Sequence, residues 1–419
     1  MIADDCFLHD KDRLKHGDAI ALLRERMAPL TRTEEIPLSE SCGKVLAQDI
    51  KAPRNIPAFD NAAVDGYAFA HAGHAVTGGF FPLAARIAAG DENNIELPGA
   101  SAARIFTGAA MPLGADTVVM QEDCERHEQD GTQFIVIPAG LKKGANCRLA
   151  GEDVAAKSTV AKTGTVLRPQ DLAAIASTGT DKVCVFTPLK VGLLSSGNEL
   201  LQPGDEFENG KVYDANGVML SSLFGSLPVT VTNLGVCPDD RQAVGNLLTD
   251  ASTQFDVVIS SGGASRGEED HFVGALEKLG KSHMWQLAIK PGRPMSLGQI
   301  DKALFFVLPG NPVAAFVCFA LYVRPSLLRL GGADWYEPKR FPLPADFSIT
   351  SKPDRREFLR GIYHIHDDGK VTIDKYDRDG SGLISGLREA DGLIEVSETA
   401  TSVSSGDMIS FIPFSELGI

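Results

Sequence analysis

The sequence predicts a multidomain α/β protein: a parallel α/β sheet domain with helices on both faces, an N-terminal α+β domain with an inserted β subdomain, and a C-terminal small β-barrel domain. Between residues 190 and 330, short apolar runs alternate with amphipathic stretches, which is typical of strands and helices around a parallel sheet. Residues 75–146 and 341–414 combine short apolar runs with frequent turn formers, which favours β structure. A length of 419 residues allows about three domains.

The N-terminal part combines two predicted helices with the inserted subdomain. Residues 18–27 form an amphipathic stretch that ends before Pro29, and Ser39 is a suitable cap for a second helix running to residue 47. Residues 154–180 predict a strand and a helix that rejoin these helices. We therefore predict an N-terminal domain from residues 1–50 and 150–188, interrupted by a β subdomain at 51–149.

The central region predicts four strands in alternation with four helices. The strands are expected at residues 191–194, 229–232, 256–260 and 303–308, and the helices at residues 217–224, 239–248, 271–279 and 313–330. We place this α/β domain at 189–335. After Gly331 and Gly332 helical periodicity gives way to alternation, so the β-barrel domain is placed at 336–419.

Composition and charge exclude several classes of protein. A net charge of −15 argues against nucleic acid as the main ligand, because its binding requires basic surface. The seven cysteines are scattered and form no Cys-x-x-Cys pair, which indicates a reducing compartment and no zinc site. No uncharged apolar run is long enough to cross a bilayer, and the N-terminus lacks the pattern of a secretion signal. We therefore expect a cytoplasmic protein.

Polar segments follow three of the predicted strands, at residues 195–200, 260–270 and 308–312. Ligands of parallel sheets bind at the carboxyl ends of the strands, so these segments are expected at one edge. The second of them contains Gly262 and Gly263, which suit a phosphate-binding loop, but also Glu268, Glu269 and Asp270. Carboxylates and phosphate repel each other unless a hard cation such as Mg²⁺ lies between them. The sequence therefore predicts a magnesium-assisted phosphate site.

Several of these motifs have a second interpretation. Residues 263–267 match the Gly-x-Ser-x-Gly pattern of serine hydrolases, but Ser265 lies several residues beyond the strand and beside an acidic cluster that would oppose an oxyanion. Asn311 and Pro312 suit a structural turn that begins a helix. Lys290 and Arg293 lie on a proline-stiffened loop before the fourth strand, and they are either solvated surface charges or an oxyanion clamp.

The set of motifs resembles one family. The motifs occupy residues 59–67, 104–108, 151–153, 213–216, 260–270, 290–294 and 308–312. In this order and at these distances they closely resemble the molybdopterin molybdenumtransferases, bacterial relatives of the C-terminal domain of gephyrin, over nearly the whole chain. The resemblance implies molybdenum cofactor biosynthesis: Mg²⁺-dependent insertion of molybdate into adenylylated molybdopterin with release of AMP.

The resemblance also implies roles for individual residues. Asp270 and Glu199 would hold or orient Mg²⁺, with Asp239 close by, and Asp270, Glu199, Asp65 and Lys290 would be catalytic. Ser265 and the backbone of Gly262 and Gly263 would bind the pterin-linked phosphate. Molybdate would be clamped by Lys290 and Arg293, helped by Arg360 and Ser381. The further implied substrate-binding residues are Pro294, Asn311 and Asp214.

Family resemblance further implies a homodimer that shares its site between subunits. The partner subunit would contribute Asp65, Thr107, Arg148, Glu152 and Asp153, and a molybdopterin adenylyltransferase would supply the substrate. Three departures from the family pattern involve four positions: Asn198 replaces an aspartate, Arg266 replaces an apolar residue, and Leu149 and Ala150 stand where some members have arginines. These departures leave open a weakened member that acts as a molybdopterin-binding scaffold, or a tungstate-preferring paralogue.

Overall fold

The computed structural model describes residues 13–91, 94–264 and 271–419, which form two compact units. The larger comprises Met1–Ala47, Thr163–Arg168 and Val183–Ile419, and the smaller comprises Gln48–Lys162 and Pro169–Lys182. The chain thus leaves the larger unit for the smaller one and returns twice. The four-part division expected from the sequence is finer than these two units and stays a prediction.

The larger unit contains a six-stranded sheet, ordered Val229–Cys237, Leu189–Ser196, Val257–Ser261, Ala303–Leu308, Pro294–Ile300 and Lys281–Gln286. The first four strands are parallel, as predicted. The last two are antiparallel and were not predicted, because their polar residues and Gly298 interrupt the apolar pattern. The Lys290–Arg293 loop therefore joins two antiparallel strands instead of directly preceding the fourth parallel strand.

Helices cover both faces of this sheet, as the sequence predicted. They are Ala215–Leu223, Arg241–Gln254, His271–Leu279 and the continuous helix Pro312–Leu330, which has a π-helical segment at Phe319–Val323. Val257 and Ile259 pack into the core that contains Leu220, whereas the intervening Val258 packs into the core that contains Val244 and Phe272. Each fully buried side chain of this kind contributes about 1.5–3 kcal/mol, so the central strands are stabilised from both sides.

The helix Pro312–Leu330 is long and apolar enough, by length and composition, to cross a membrane. However, 89% of it is buried inside the protein. It therefore packs as the central core helix of the larger unit.

The prediction of a helix at residues 39–47 is wrong. The N-terminal helix spans His16–Arg26, but only the short 3₁₀ helix Leu38–Glu40 follows the strand Thr33–Pro37. Gly43 has φ 76°, and Val45 and Leu46 form bridges with Val166 and Val185. Long-range strand pairing therefore replaces the local helical preference.

The C-terminal part of the larger unit is a second sheet, ordered Ile289–Lys290, Arg356–Ile365, Gly392–Val396, Met408–Pro413 and Phe341–Pro344, with Val371–Lys375 also paired to Arg356–Ile365. A single bridge between Ala345 and Ile373 links the last strand to Val371–Lys375 and closes the ring. The strands Ile349–Thr350 and Ser402–Val403 pair with each other, and Ser385–Glu389 is a short helix. The first strand of this sheet, Ile289–Lys290, comes from the α/β region of the chain.

The smaller unit contains a six-stranded sheet, ordered Thr117–Met120, Gly66–Phe69, Ala102–Ile105, Phe80–Ile87, Thr132–Val136 and Glu125–Gln129. Two short pairs join Asn61–Ala62 to Cys147–Arg148 and Ile50–Lys51 to Thr159–Ala161. Its helices are Gly73–Thr77 and Pro169–Ser177. The remaining strands in the described part of the chain are Leu200–Leu201, Val212–Tyr213 and Lys182–Phe186.

Candidate functional site

A cleft of about 770 Å³ opens in the larger unit at the carboxyl ends of the parallel strands. One wall is made by the loops that follow the strands Leu189–Ser196, Val257–Ser261 and Ala303–Leu308, and the opposite wall belongs to the C-terminal sheet. Ten residues predicted from the sequence line it: Glu199, Asp239, Gly262, Gly263, Lys290, Arg293, Pro294, Asn311, Arg360 and Ser381. Their convergence follows from the parallel topology, which brings the strand ends to one edge.

Glu199 and Asp239 provide the acidic side of the cleft. The Ser196 hydroxyl donates to Asp239 Oδ1 at 2.7 Å, and the Asp239 N–H donates to Asn198 Oδ1 at 3.1 Å. The Glu199 carboxylate folds over Gly197 so closely that a Cβ there would lie 2.5 Å from Glu199 Oε2. Asn198 thus supplies the acceptor that an aspartate would supply, but without a negative charge.

Gly262 and Gly263 form the floor between the acidic residues and the third strand. Both have positive φ, 88° and 85°. A Cβ on Gly262 would lie 2.4 Å from the Ser196 carbonyl oxygen, and one on Gly263 would lie 2.9 Å from Phe272 Cβ. Only glycine fits this loop. The N–H of Gly262 donates to Leu308 O at 3.0 Å, so this group supports the loop itself.

Lys290, Arg293 and Arg360 provide the basic side. Lys290 Nζ lies 3.4 Å from Glu357 Oε2, and Arg293 Nε donates to Gln286 Oε1 at 3.0 Å. The Arg360 guanidinium donates to the carbonyls of Leu383 and Arg378 at 3.1 and 2.6 Å. Burial lowers the pKa of Arg360 from its usual value, but a guanidinium remains charged at neutral pH.

Asn311 and Ser381 connect the two walls. Asn311 occupies the cap position of the helix that starts at Pro312, but its side chain makes no capping hydrogen bond. The Val313 N–H instead donates to Ser381 O at 2.9 Å. The helix start is therefore held by the C-terminal sheet region.

Sequence reasoning missed several cleft residues, among them Lys375, Tyr376 and Asp379. The Tyr376 ring stacks under Arg360, with 4.9 Å between its centre and the guanidinium carbon, and Lys375 Nζ lies 4.0 Å from Asp379 Oδ1. The available signal was the Gly/Ser-rich turn after residue 376, which also carries Ser381. No local pattern indicated that this turn faces the strand ends.

Asp214 lies outside the cleft lining. It is buried and caps the helix Ala215–Leu223 by accepting from the Gly217 N–H at 2.8 Å. The neighbouring Asn216 donates to Ser261 Oγ and Gly310 O at 2.8 and 2.7 Å, which ties two strand ends together. This segment therefore supports the cleft from behind.

The other predicted residues lie on connected segments of the smaller unit. The Thr107 N–H and hydroxyl both donate to Asp65 Oδ1, at 2.8 and 2.7 Å. These two bonds hold the pKa of the exposed Asp65 carboxyl below its usual range. Glu152 accepts from the Leu149 N–H at 2.9 Å, whereas Arg148 and Asp153 are exposed.

Ser265, Arg266 and the acidic residues Glu268, Glu269 and Asp270 lie outside the described residues. Within the described ranges, no group of three or more His, Cys, Asp or Glu side chains is placed to hold a metal ion. Glu199 and Asp239 nevertheless offer hard oxygen donors on one side of the cleft. Mg²⁺ is commonly bound by one or two carboxylates together with water and substrate phosphates, so this donor set fits it.

Comparison with known proteins finds relatives along almost the entire chain. A molybdopterin molybdenumtransferase of Haemophilus influenzae is 36% identical over 390 residues, which cover 92% of this chain and 95% of the relative. One from Bacillus subtilis is 30% identical over 375 residues and covers 86% and 85%. The crystal structure of the molybdopterin biosynthesis moeA protein from Pyrococcus horikoshii OT3 matches with a TM-score of 0.80 at 28% identity, covering 96% of this chain and 100% of that one.

The fold, the cleft and these likenesses define a multidomain α/β transferase. Models described as the MoeA N-terminal region (domain I and II), a probable molybdopterin binding domain and the MoeA C-terminal region (domain IV) match residues 14–179, 192–329 and 342–414. The chain belongs to the molybdopterin molybdenumtransferase family, whose members act in molybdenum cofactor biosynthesis.

Proposed function

We propose that this enzyme inserts molybdate into adenylylated molybdopterin with the help of Mg²⁺ and releases AMP. The observation that carries the proposal is the cleft, whose lining combines the carboxylates of Glu199 and Asp239 with the cations Lys290, Arg293 and Arg360. A bound cation suits the first group and oxyanions suit the second. Molybdate and the two linked phosphates of the substrate are oxyanions.

In this proposal, each group of cleft residues has one task. Glu199 and Asp239, with Asp270, would hold Mg²⁺, which when bound neutralises charge on the phosphates. Lys290, Arg293 and Arg360 bind molybdate, while Ser381 and Asn311 orient it. The floor at Gly262 and Gly263 admits the pterin-linked phosphate, together with Ser265. Cleavage breaks the bond between the bridging oxygen and the nucleotide phosphorus, and the bridging oxygen stays on the molybdopterin phosphate. An oxygen of water or molybdate bonds to the nucleotide phosphorus, and AMP leaves directly or, in the molybdate case, once water has hydrolysed the ester.

The proposal extends to assembly and location. Asp65, Thr107, Arg148, Glu152 and Asp153 would complete the cleft of the partner subunit in a cytoplasmic homodimer. The paired hydrogen bonds of Thr107 to Asp65 support an ordered carboxylate suited to such a role. A molybdopterin adenylyltransferase would deliver the substrate. Sedimentation velocity tests the dimer, and mixing inactive Asp65→Asn and Lys290→Met subunits should restore activity if the sites are shared.

The finer domain division also stays part of the proposal. We propose a linking domain at 1–50 and 150–188, a β subdomain at 51–149, an α/β domain at 189–335 and a β-barrel domain at 336–419. The bridge between Ala345 and Ile373 supports the barrel.

The decisive experiment measures AMP release from adenylylated molybdopterin with and without Mg²⁺ and molybdate. The proposal expects release that requires Mg²⁺, increases with molybdate and is lost in Glu199→Gln. Binding of molybdopterin without any AMP release would favour the scaffold alternative, which the missing carboxylate at Asn198 keeps relevant. Greater stimulation by tungstate than by molybdate would favour the tungstate-preferring alternative.

A further inference from the structure

Glu357 is a buried carboxylate next to the cleft that no proposed function uses. It is 4% exposed and lies in the strand Arg356–Ile365. It does not line the cleft, although the three residues after it do. Its only contact with a cleft residue among its hydrogen bonds and ion pairs in the described ranges is with Lys290.

The backbone brings these two residues together. The short strand Ile289–Lys290 pairs in parallel with Arg356–Glu357, so that Lys290 stands opposite Glu357, and Arg356 N donates to Ala288 O at 2.8 Å. The same loop is fixed on its other side, where a Cβ on Gly292 would lie 2.7 Å from Cys318 Sγ. The backbone at Lys290 is therefore fixed, and only the side chain of Lys290 can change its conformation.

Two neighbouring cations, Arg355 and Lys290, stabilise the buried carboxylate of Glu357. Glu357 Oε1 accepts from Arg355 Nη2 and Nε at 2.8 and 3.1 Å, and Oε2 faces Lys290 Nζ at 3.4 Å. Burial raises the pKa of Glu357, but the Arg355 hydrogen bonds and the Lys290 charge bring it below its usual value, so the carboxylate is ionised. One anion and two cations leave the trio with a net positive charge, which still attracts an oxyanion.

The ammonium group of Lys290 keeps binding capacity in this arrangement. Its side chain is 46% exposed, and an ammonium has three N–H donors, of which Glu357 uses one. A free lysine side chain loses considerable rotamer entropy when it binds a ligand. Holding Lys290 in advance removes part of this cost.

We propose that Glu357 is a positioning residue that pre-orders Lys290 for the oxyanion. This deepens the proposed function, on which it rests, by identifying the group that sets the geometry of the molybdate clamp. Glu357 acts only through Lys290 and touches no reacting atom.

The test compares Glu357→Gln with a matched control. Glu395 is similarly buried, at 7% exposure, and lies in the same sheet, where its ion pairs within the described ranges are with Arg340 and Arg356 and not with Lys290. Glu357→Gln should raise the KM for molybdate roughly 3- to 10-fold with kcat nearly unchanged, which is the scale of an ordered side chain. Glu357→Asp should recover part of the loss, and Glu395→Gln should leave the KM unchanged.

A double-mutant cycle separates positioning from a general structural effect. In a Lys290→Met background, where AMP release is expected to be lost, Glu357→Gln should add no further rise in the calorimetric Kd for molybdate. An equal rise in both backgrounds, or the same rise in Glu395→Gln, would overturn the inference.

Two measurements that need no turnover keep the inference separate from the proposed reaction. Calorimetric titration with molybdate should show the same pattern of affinities across the variants. Acetylation of Lys290 by limiting acetic anhydride, followed by mass spectrometry, should become faster in Glu357→Gln relative to the exposed Lys302. If AMP release fails in the wild type but these patterns hold, only the proposed reaction is rejected. Unchanged molybdate affinity and unchanged acetylation in Glu357→Gln reject the inference.

Discussion

The Ser196 hydroxyl donates to Asp239 Oδ1 at 2.7 Å, which links the ends of two neighbouring parallel strands. The link orients one carboxylate oxygen and leaves the other for the cleft. The next residue, Asp240, instead caps the helix Arg241–Gln254 by accepting from the N–H groups of Gln242 and Ala243. Two adjacent aspartates thus have separate tasks, and these tasks can be separated by experiment.

Asp239→Asn should raise the Mg²⁺ concentration for half-maximal AMP release by roughly 10- to 100-fold, the usual cost of disturbing a metal site. Asp240→Ala should lower stability by about 1 kcal/mol through the lost cap and leave the Mg²⁺ requirement unchanged. Metal titrations and thermal unfolding of both variants provide the comparison. Equal shifts in the Mg²⁺ requirement would contradict the assignment of Asp239.

Gly262→Ala should disrupt the floor of the cleft. The new Cβ would lie 2.4 Å from Ser196 O at a residue with φ 88°, so the loop must move. We expect a loss of stability of about 1–3 kcal/mol and at least a tenfold loss of AMP release. Gly274→Ala, in the helix His271–Leu279, is the control: among the described residues no atom outside its own helix backbone and chain neighbours lies within 4 Å of the added Cβ, and the change should raise stability by about 0.5–1 kcal/mol. Chemical denaturation together with the AMP assay checks both.

Thr107→Val should raise the pKa of Asp65 toward its ordinary value of 3.8, because one of its two hydrogen-bond donors is lost. Thr107→Ser should keep it low. A folded-state pKa below the unfolded value contributes stability at pH above the unfolded pKa, and this contribution is lost as the pH falls through the folded pKa. Carboxyl ¹³C NMR titration of labelled aspartate measures the effect. An unchanged titration of Asp65 in Thr107→Val would show that the hydroxyl is unimportant.

His16 should make the larger unit sensitive to mild acid. Its pKa is lowered from 6.5 to about 4, first by burial and then by the charge of Arg356. Because the unfolded chain binds the proton first, stability should fall as the pH drops below 6.5 and continue to fall to about 4. The full effect corresponds to about 3 kcal/mol.

The measurement is the unfolding midpoint of the wild type and of His16→Gln between pH 7 and pH 5. The variant loses the hydrogen bond to Tyr322 at all pH values, so only the slope is informative. His364→Gln changes an exposed histidine and should keep the wild-type slope. A slope shared by all three proteins would exclude His16 as the cause.

Asp214→Ala should lower stability by about 1 kcal/mol, because the helix Ala215–Leu223 loses its cap. The KM for molybdate should stay unchanged, since Asp214 does not line the cleft. Thermal unfolding and AMP kinetics distinguish this structural role from substrate binding, for which the KM would rise.

Elements with a strong local pattern were predictable from the sequence. The strand Ala303–Leu308 consists of six buried apolar residues, and the helix His271–Leu279 has apolar residues at helical spacing, so both were predicted with their observed bounds. Antiparallel Lys281–Gln286 was not predictable, because its sequence lacks a continuous apolar run. The helix predicted at 39–47 was wrong because residues of this segment pair with Val166 and Val185, which lie far away in the sequence.

The candidate site was likewise predictable only where its arrangement follows from local pattern or from parallel topology. Convergence of Glu199, Gly262 and Asn311 was predictable, because the ends of parallel strands must meet. The contact between Lys290 and Glu357 was not, because it depends on a two-residue pairing between distant segments. The orientation of Arg360 was not predictable either, because two backbone carbonyl groups hold its guanidinium and every residue type has such a group.

The short pairing of Ile289–Lys290 with Arg356–Glu357 also means that the domain boundary predicted near residue 335 would not be a boundary of the cleft, which residues on both sides of it line. A fragment that ends at Leu330 would retain every strand and helix of the α/β sheet but would lose the neighbour of its own basic loop. The two regions are therefore coupled as a functional unit: neither could be exchanged for that of a relative unless the other were adjusted with it.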